Sequence, residues 1–201
     1  IQSIEEFEAR MIKSWFRYWM TRIYSGSVLK YCDGIVGVTD EITNHYYTIS
    51  NNPGMQAMTS GNGVCVADVP LRKAPEFRDG KLDLLCVGKI ADWHGIDRLI
   101  KGMAESGTEN IRLHIVGEGQ GIKNLIGTVQ SHGLEERVIF HGFKTGNQLD
   151  SMFDKCHIGI GSLGIHRKGL AETAELKVRE YCARGFPFIN SASDKDFPPD
   201  F

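Results

Sequence analysis

Short apolar runs alternate with helical patterns in the sequence from position 82 onward. The runs LLCVG, LHIVG, VIFHG, HIGIGS and PFINS have the length and composition of buried strands. The segments between them, such as GIDRLIKGM and IKNLIGTVQSHG, have apolar residues at the spacing of one helix face. This order predicts an α/β fold with a doubly wound parallel sheet between two layers of helices. Ligands of such sheets bind at the carboxyl ends of the strands, so we expect functional residues in the loops that follow them.

The first third of the sequence has a different pattern. Apolar residues recur at helical spacing between positions 4 and 23. Those on one face are Ile12, Trp15, Phe16, Trp19 and Ile23. The segment GIVGVT at 34–39 predicts a short buried strand, and Thr39 or Asp40 can cap the helix expected after it. The next stretch, NNPGMQAMTSGNGV, is rich in turn-forming residues.

A polar, proline-bearing stretch at 67–81 is the candidate linker between two domains. We therefore expect residues 1–67 to be the end of one domain and residues 68–201 to be a second, ligand-binding domain. The chain begins at Ile1 instead of Met and stops soon after a predicted strand. We expect it to be a piece of a longer polypeptide.

Composition narrows the class of protein. Hydrophobic residues make up 41% and charged residues 24%, which is typical of a globular domain. A net charge of -2 argues against a protein built to coat nucleic acid. The 5 cysteines are scattered singly, which predicts neither a disulfide framework nor a zinc site and favours small core residues in a reducing cytoplasm. No signal peptide and no membrane-spanning run are evident.

The segment 10–30 combines basic residues with aromatic ones. Such a helix can lie on the inner face of a membrane as a peripheral contact. Packing against another part of a longer protein explains the same pattern, and we favour packing.

The segment ETAELKVRE has Glu172 and Glu180 eight residues apart, about two helical turns. One carboxylate could then lie at the N-terminus of a helix and the other along the same side. The helix is expected to end at Gly185, with Pro187 entering a strand. By spacing alone, two glutamates on a solvated helix face are the simpler explanation.

The motif E-x7-E followed by EYCARGFP resembles the donor-site signature of the retaining glycosyltransferases of group 1, which have two Rossmann-like domains in the GT-B arrangement. Further segments resemble the family in the same order: TSGNGV, VGKIADWHGIDRLI, LHIVGEGQ, LEERVIFHGFKTGNQL and CHIGIGS. The resemblance extends from Gly34 to Ser191. It implies a Rossmann-like domain that binds a nucleoside-diphosphate sugar and transfers its sugar to a hydroxyl acceptor with retention.

The resemblance also implies roles for individual residues. Glu172 would contact the hydroxyls of the donor sugar, and Glu180 the ribose hydroxyls, since carboxylates accept paired hydrogen bonds. Lys89 and His94 stand where the family has an arginine and a lysine on the diphosphate. Further donor-binding residues are Gly117, Glu118, Gly119, Phe143, Lys144 and Lys177.

The sequence departs from the family at several of these positions. His94 would need protonation to act as a cation, or it would donate a neutral hydrogen bond, and alone it is equally a capping or packing residue. Glu175 replaces a glycine of the family motif, and Lys177 either supplies charge to the phosphates or is an ordinary surface lysine. Gly117 and Gly119 are compatible with any tight turn, and Phe143 and Lys144 with an ordinary loop.

No cluster of metal ligands and no cofactor motif is evident, so we expect a metal-independent reaction with the nucleotide sugar as substrate and no cofactor. The acceptor would be a glycan or a lipid-linked molecule, with a role in polysaccharide biosynthesis. A nucleotide-sugar epimerase or a non-catalytic nucleotide-binding module remains the alternative. A dinucleotide-binding redox module is disfavoured, because VGEGQG matches the GxGxxG turn only in part.

Overall fold

The computed structural model describes residues 15–73, 75–76 and 80–198. These residues form two compact units. The first comprises the described residues up to Asn62, together with Ile165–Ala174 and the described residues from Ala192 onward. The second comprises the described residues of Gly63–Gly164 and Glu175–Ser191. This division places residues 63–67 with the second unit, whereas the sequence suggested a boundary after residue 67, and it assigns two later segments to the first unit.

The first unit contains two helices and a small parallel sheet. In chain order its elements are α1 (Trp15–Leu29), β1 (Gly34–Gly37), α2 (Asp40–Ser50) and β2 (Gln56–Thr59). β1 forms at the position predicted for a strand, but it is not the buried strand that the sequence suggested, since Val36 is 62% exposed. Thr39 is the N-cap of α2 and its side chain accepts a hydrogen bond from the Ile42 backbone N–H, as the sequence predicted.

Two features of the first unit were not evident from the sequence. β2 lies inside the stretch that is rich in turn-forming residues, where pairing with β1 satisfies its backbone groups. Ile12 lies outside the described residues. Trp19 and Ile23, which the sequence places on one helical face, are 43% and 59% exposed in the described part of the chain. None of the described helices has the length and apolarity needed to cross a bilayer.

The second unit is built on a five-stranded parallel sheet. Its strands are β3 (Leu82–Val87), β4 (Ile111–Val116), β5 (Val138–Phe140), β6 (Ile158–Ile160) and β7 (Phe188–Ile189). Its helices are α3 (Ile96–Glu105), α4 (Ile122–Ser131), α5 (Gly146–Lys155) and α6 (Leu176–Ala183). The strand order is β5-β4-β3-β6-β7, so β3 is central and the chain winds outward in both directions. The predicted doubly wound parallel sheet is confirmed.

Apolar side chains leave β3 in both directions and fill a core on each face of the sheet. Leu84 lies in a cluster with Ile100 of α3, while Leu85 lies in a second cluster with Phe153 of α5 and Tyr181 of α6. Burial of each such side chain stabilises the fold by about 1.5–3 kcal/mol. A strand buried on both faces is largely apolar, and β3 has this pattern with the exception of the buried Asp83.

The C-terminus of α6 has the turn predicted at Gly185. This residue has φ 66°, and its N–H donates to the Cys182 carbonyl, while the Phe186 N–H donates to the Tyr181 carbonyl. Glycine adopts this left-handed conformation without the steric cost that a side chain adds. The turn directs the chain into β7 and brings Phe186 into the core beside Tyr181.

Candidate functional site

A cleft of about 470 Å³ lies at the carboxyl ends of β3, β4 and β5. Its walls come from the loops that follow these strands. The lining residues are Lys89, Gly117, Glu118, Gly119, Phe143 and Lys144, together with Val87, Gly88 and Val116. The first six are the residues singled out from the sequence in these loops. The structure thus brings them together at the edge of the sheet where ligands of doubly wound folds bind.

Glycines allow the loops after β3 and β4 to approach each other closely. Gly117 has φ 128°, and a Cβ on it would overlap the carbonyl oxygen of Gly88 and lie 2.9 Å from its carbonyl carbon. Gly119 has φ 153°, and a Cβ there would lie 2.8 Å from the Ile90 nitrogen. Neither space nor backbone conformation therefore admits a side chain at Gly117 or Gly119.

Backbone hydrogen bonds fix the floor of the cleft. The Gly88 N–H donates to the Val116 carbonyl at 3.0 Å, and the Gly117 N–H donates to the Gly142 carbonyl at 2.8 Å. Each bond joins the loop of one strand to the next strand or loop. The cleft is therefore a preformed feature of the sheet edge, which lowers the ordering cost of binding a ligand there.

The side chains of the cleft combine positive charge with an aromatic ring. Lys89 is exposed, Lys144 is half-buried, and Phe143 is 70% exposed. Two ammonium groups suit an anion, and an exposed ring offers a face on which a planar base can stack. Glu118 is the acidic residue of the same wall and can accept hydrogen bonds from hydroxyl groups.

His94 lies in the loop after β3, where it caps a single 3₁₀ turn. Its Nδ1 accepts a hydrogen bond from the Ala91 N–H at 3.0 Å, and its ring contacts Trp93 with centroids 5.8 Å apart. A nitrogen that accepts this bond bears no proton, so the neutral ring has its proton on Nε2. The geometry agrees with the capping interpretation of His94 and with donation of a neutral hydrogen bond, and the phosphate role stays a prediction.

α6 contains two of the predicted donor residues, and both are engaged in ion pairs. Lys177 Nζ lies 3.2 Å from Oε2 of Glu175, with side chains only 11% and 14% exposed. Glu180 accepts a hydrogen bond from Arg184 Nε at 3.0 Å, and Arg184 also donates to Asp150 at 2.7 Å. Lys177 is therefore not the ordinary surface lysine considered above.

Glu172 does not lie on the helix that bears Glu180, which corrects the expectation that both share one helix. α6 begins at Leu176, and residue 172 instead forms an isolated parallel bridge with Ser193. Its Oε2 accepts hydrogen bonds from the Asp40 and Glu41 N–H groups, at 3.1 and 3.3 Å. Glu172 thus satisfies backbone donors at the N-terminus of α2, within the first unit. The eight-residue spacing could not reveal this partner, which is distant in sequence.

The family pattern of the glycosyl transferases group 1 matches residues 70–196, more than half of the sequence. The chain belongs to this family. No curated protein shows significant sequence similarity to it. The matched region of the family includes all the residues of the cleft and the two on α6.

Solved structures resemble the chain in fold. The lipopolysaccharide outer core galactosyltransferase WaaB, in its apo form, has 20% identity and a TM-score of 0.56, over 84% of this chain and 45% of that one. Sucrose-phosphate synthase from Thermosynechococcus elongatus has 16% identity and a TM-score of 0.64, over 90% and 46%. Alr3699/HepE from Anabaena, in complex with UDP and glucose, has 15% identity and a TM-score of 0.62, over 83% and 46%.

These likenesses agree with the Rossmann-like sheet expected for a member of the group 1 family and show a fold similar to GT-B glycosyltransferases. The chain spans about half the length of these structures. In the described part of the chain, no group of three or more His, Cys, Asp or Glu residues is placed to hold a metal ion. Metal independence stays a prediction for this family member.

A polar network in the second unit was missed by sequence reasoning. Asp83 accepts hydrogen bonds from Arg112 Nε at 2.6 Å and from Nη2 at 2.7 Å. Its carboxylate also lies 3.0 Å from Nε2 of His114. The Nδ1 atom of His114 in turn lies 2.9 Å from Nε2 of His141. Burial alone would raise the pKa of Asp83, but the bonds from Arg112 and His114 lower it. Burial, reinforced by His114, lowers the pKa of His141. The sequence signal for this network was the presence of charged residues within strand segments. Parallel pairing of β3 and β4 places Asp83 and Arg112 side by side.

Proposed function

We propose that this chain supplies the donor-binding part of a glycosyltransferase, which moves a sugar from a nucleoside-diphosphate sugar to a hydroxyl acceptor with retention at the anomeric carbon. The observation that supports this proposal most directly is the cleft at the carboxyl ends of β3, β4 and β5. It joins a glycine-lined floor, two lysines and an exposed phenylalanine in one place.

The chemistry of the reaction fits these side chains. As the bond between sugar and phosphate breaks, negative charge develops on the leaving nucleoside diphosphate. Cationic and N–H groups near that charge lower the barrier more than they stabilise the bound substrate. Lys89 and Lys144 would supply such charge, His94 a neutral Nε2 donor, and Phe143 a surface for the base. No step requires a metal or a cofactor in this proposal.

The two glutamates would hold the hydroxyl groups of the donor. In our proposal Glu180 accepts hydrogen bonds from the ribose and Glu172 from the transferred sugar. Glu180 already accepts a hydrogen bond from Arg184 through Oε1, which fixes its side chain on α6. A carboxylate held in this way needs little further ordering when a diol binds.

The donor nucleotide is expected to be one of the common nucleoside diphosphates, and UDP, which HepE binds in the structure described above, is the first to test. The acceptor would be a glycan or a lipid-linked molecule in polysaccharide biosynthesis. A cytoplasmic location and a membrane contact through residues 10–30 stay predictions.

An epimerase of similar architecture would use the same phosphate and ribose contacts, but the match to the glycosyl transferases group 1 family does not favour it. Incubation of the full-length protein with a nucleotide sugar alone separates the two. An epimerase converts the sugar without an acceptor, whereas a glycosyltransferase transfers it only when an acceptor is added. Epimerisation of the nucleotide sugar in the absence of an acceptor would refute the proposed transferase activity.

Calorimetric titration of the full-length protein with UDP, GDP and ADP tests donor binding. Lys89→Met should weaken binding of the favoured nucleotide about tenfold, because it removes a charge beside the diphosphate. Lys81→Met is the matched control. Lys81 is also exposed, but it precedes β3 and therefore lies at the opposite end of the strand that Lys89 follows. Equal affinities for the two variants would contradict the placement of the diphosphate in the cleft.

The carboxylate assignment is tested in the same protein. We expect Glu180→Ala to weaken nucleotide binding and Glu172→Ala mainly to lower the rate of sugar transfer. Unchanged nucleotide affinity in the Glu180 variant would exclude a ribose contact.

A further inference from the structure

The carboxylate of Glu175 joins a backbone donor to a lysine. Its Oε1 accepts a hydrogen bond from the Ser162 N–H at 3.1 Å, and its Oε2 lies 3.2 Å from Lys177 Nζ. Ser162 is fully buried, and the side chains of Glu175 and Lys177 are at least 86% buried. The Coulomb attraction within a pair so shielded from water is stronger than on the surface, although the cost of desolvating both charges offsets part of it.

The pair lies at the same edge of the sheet as the cleft. Ser162 follows β6 at its carboxyl end, and Lys177 is in the first turn of α6. One turn later, the Tyr181 hydroxyl accepts a hydrogen bond from the N–H of Val87, which lines the cleft. Burial raises the pKa of the Cys86 thiol in β3, and the charges of Glu175 and Lys177 also act on it, which places the pair near the end of the central strand.

A backbone N–H and a lysine ammonium are the two kinds of donor that bind phosphate oxygens in proteins. Here a carboxylate of the chain itself engages both. We propose that Glu175 is an internal anion that occupies Lys177 and the Ser162 N–H until the diphosphate of the donor displaces it. This inference rests on the proposed function and adds to it a competition that controls donor affinity.

The competition has a consequence for ligand selection. A diphosphate has enough charge to replace the carboxylate at Lys177, whereas a nucleoside has none and leaves the pair intact. Removing the charge of Glu175 should therefore strengthen diphosphate binding and leave nucleoside binding unchanged. If Glu175 has only a structural role, its replacement should not change the affinity for the diphosphate any more than the affinity for the nucleoside.

Glu175→Gln isolates this effect. The glutamine retains an oxygen that accepts the Ser162 N–H, so the loop after β6 keeps its hydrogen bond, while Lys177 loses its counter-charge. Glu105→Gln is the matched control, because Glu105 is an exposed residue at the far end of α3 and gives the same change in net charge. Glu175→Gly additionally frees the Ser162 N–H and provides a second variant.

The test is calorimetric titration of full-length wild-type protein and variants with UDP and uridine, with the guanosine and adenosine pairs alongside. We expect Glu175→Gln to bind the favoured diphosphate about tenfold more tightly than Glu105→Gln, with equal affinity for the nucleoside. Glu175→Gly should bind the diphosphate at least as tightly as Glu175→Gln.

Two results would overturn the inference. If wild type binds a diphosphate and neither Glu175 variant binds it more tightly than the control, the competition is refuted and the proposed function stands. If no nucleotide binds to wild type or to any variant, the proposed function and this inference fail together.

Discussion

Replacement of Gly117 by alanine should destroy the cleft by separating the loops after β3 and β4. A Cβ at this position would overlap the Gly88 carbonyl oxygen, and the residue has φ 128°, which L-residues with a side chain rarely adopt. The backbone of one loop must therefore move.

The expected cost follows from the contacts that this movement breaks. An unfavourable backbone conformation costs about 1–3 kcal/mol. The hydrogen bonds from Gly88 to Val116 and from Gly117 to Gly142 contribute about 0.5–1.5 kcal/mol each. We expect Gly117→Ala to lower the free energy of unfolding by about 3–5 kcal/mol. The costs of backbone strain and of the two hydrogen bonds are not fully additive, because one loop movement causes all of them.

Gly102→Ala is the matched control. Gly102 lies inside α3 and is exposed. Apart from its chain neighbours and the backbone of its own helix, no atom of the described residues lies within 4 Å of the position that a Cβ would take. The same substitution there should stabilise the protein by about 0.5–1 kcal/mol, because alanine loses less backbone entropy in a helix than glycine does.

Urea denaturation followed by circular dichroism measures both variants, and nucleotide titration shows whether the cleft survives. The Gly117 variant should lose nucleotide binding, while the Gly102 variant keeps it. If Gly117→Ala unfolds at the same urea concentration as wild type and binds nucleotide normally, the close approach of the two loops is not required.

Three further predictions concern acid stability, thiol reactivity and metal dependence. Because the pKa of Asp83 lies below its ordinary 3.8 in the fold, its ionised form contributes stability above that pH, and the contribution disappears as pH falls through the lowered value. Asp83→Asn should cost about 1–2 kcal/mol at pH 7, since Arg112 loses its partner but is partly exposed to water. Acid titrations of unfolding should show a smaller loss below pH 4 than in wild type. A loss as steep as in wild type would assign the acid sensitivity to other groups. A thiol reagent at pH 8 should modify the exposed Cys65 but not the buried Cys86 and Cys156 until the protein unfolds, because burial raises the pKa of Cys156 to about 12, and mass spectrometry of the peptides detects any exception. Sugar transfer by the full-length protein should survive chelation, and activity that disappears with a chelator and returns with a divalent ion would show that a metal is required.

Local patterns were enough to predict the elements that position the site. The alternation of apolar runs and helical segments predicted the parallel sheet, because strands buried on both faces are largely apolar. The cap at Thr39 and the turn at Gly185 involve only residues within five positions of each other, so their signals are present in the sequence. The cleft followed from the rule that loops at the carboxyl ends of parallel strands converge.

The resemblance to the family added what periodicity does not contain. It supplied the roles proposed for Lys89, Glu172 and Glu180. By spacing alone, the two glutamates would have been assigned to a solvated helix face and Lys89 to an ordinary loop. It also drew attention to Glu175 as a departure, although the partner of this residue was not evident from the sequence.

The sequence by itself determined the order along the chain of the strands and helices in the second unit, the cap at Thr39 and the turn at Gly185, because each depends on the backbone preferences and burial of near neighbours. Only the tertiary structure decided which side chains face each other. Glu172 bonds to backbone groups 131 and 132 positions away, and Asp83 meets His114 across two strands. Glu175 reaches Ser162 across the loop between β6 and α6. Such contacts form only when the chain closes long loops, and their geometry is set by strand order and helix packing, which no local pattern specifies.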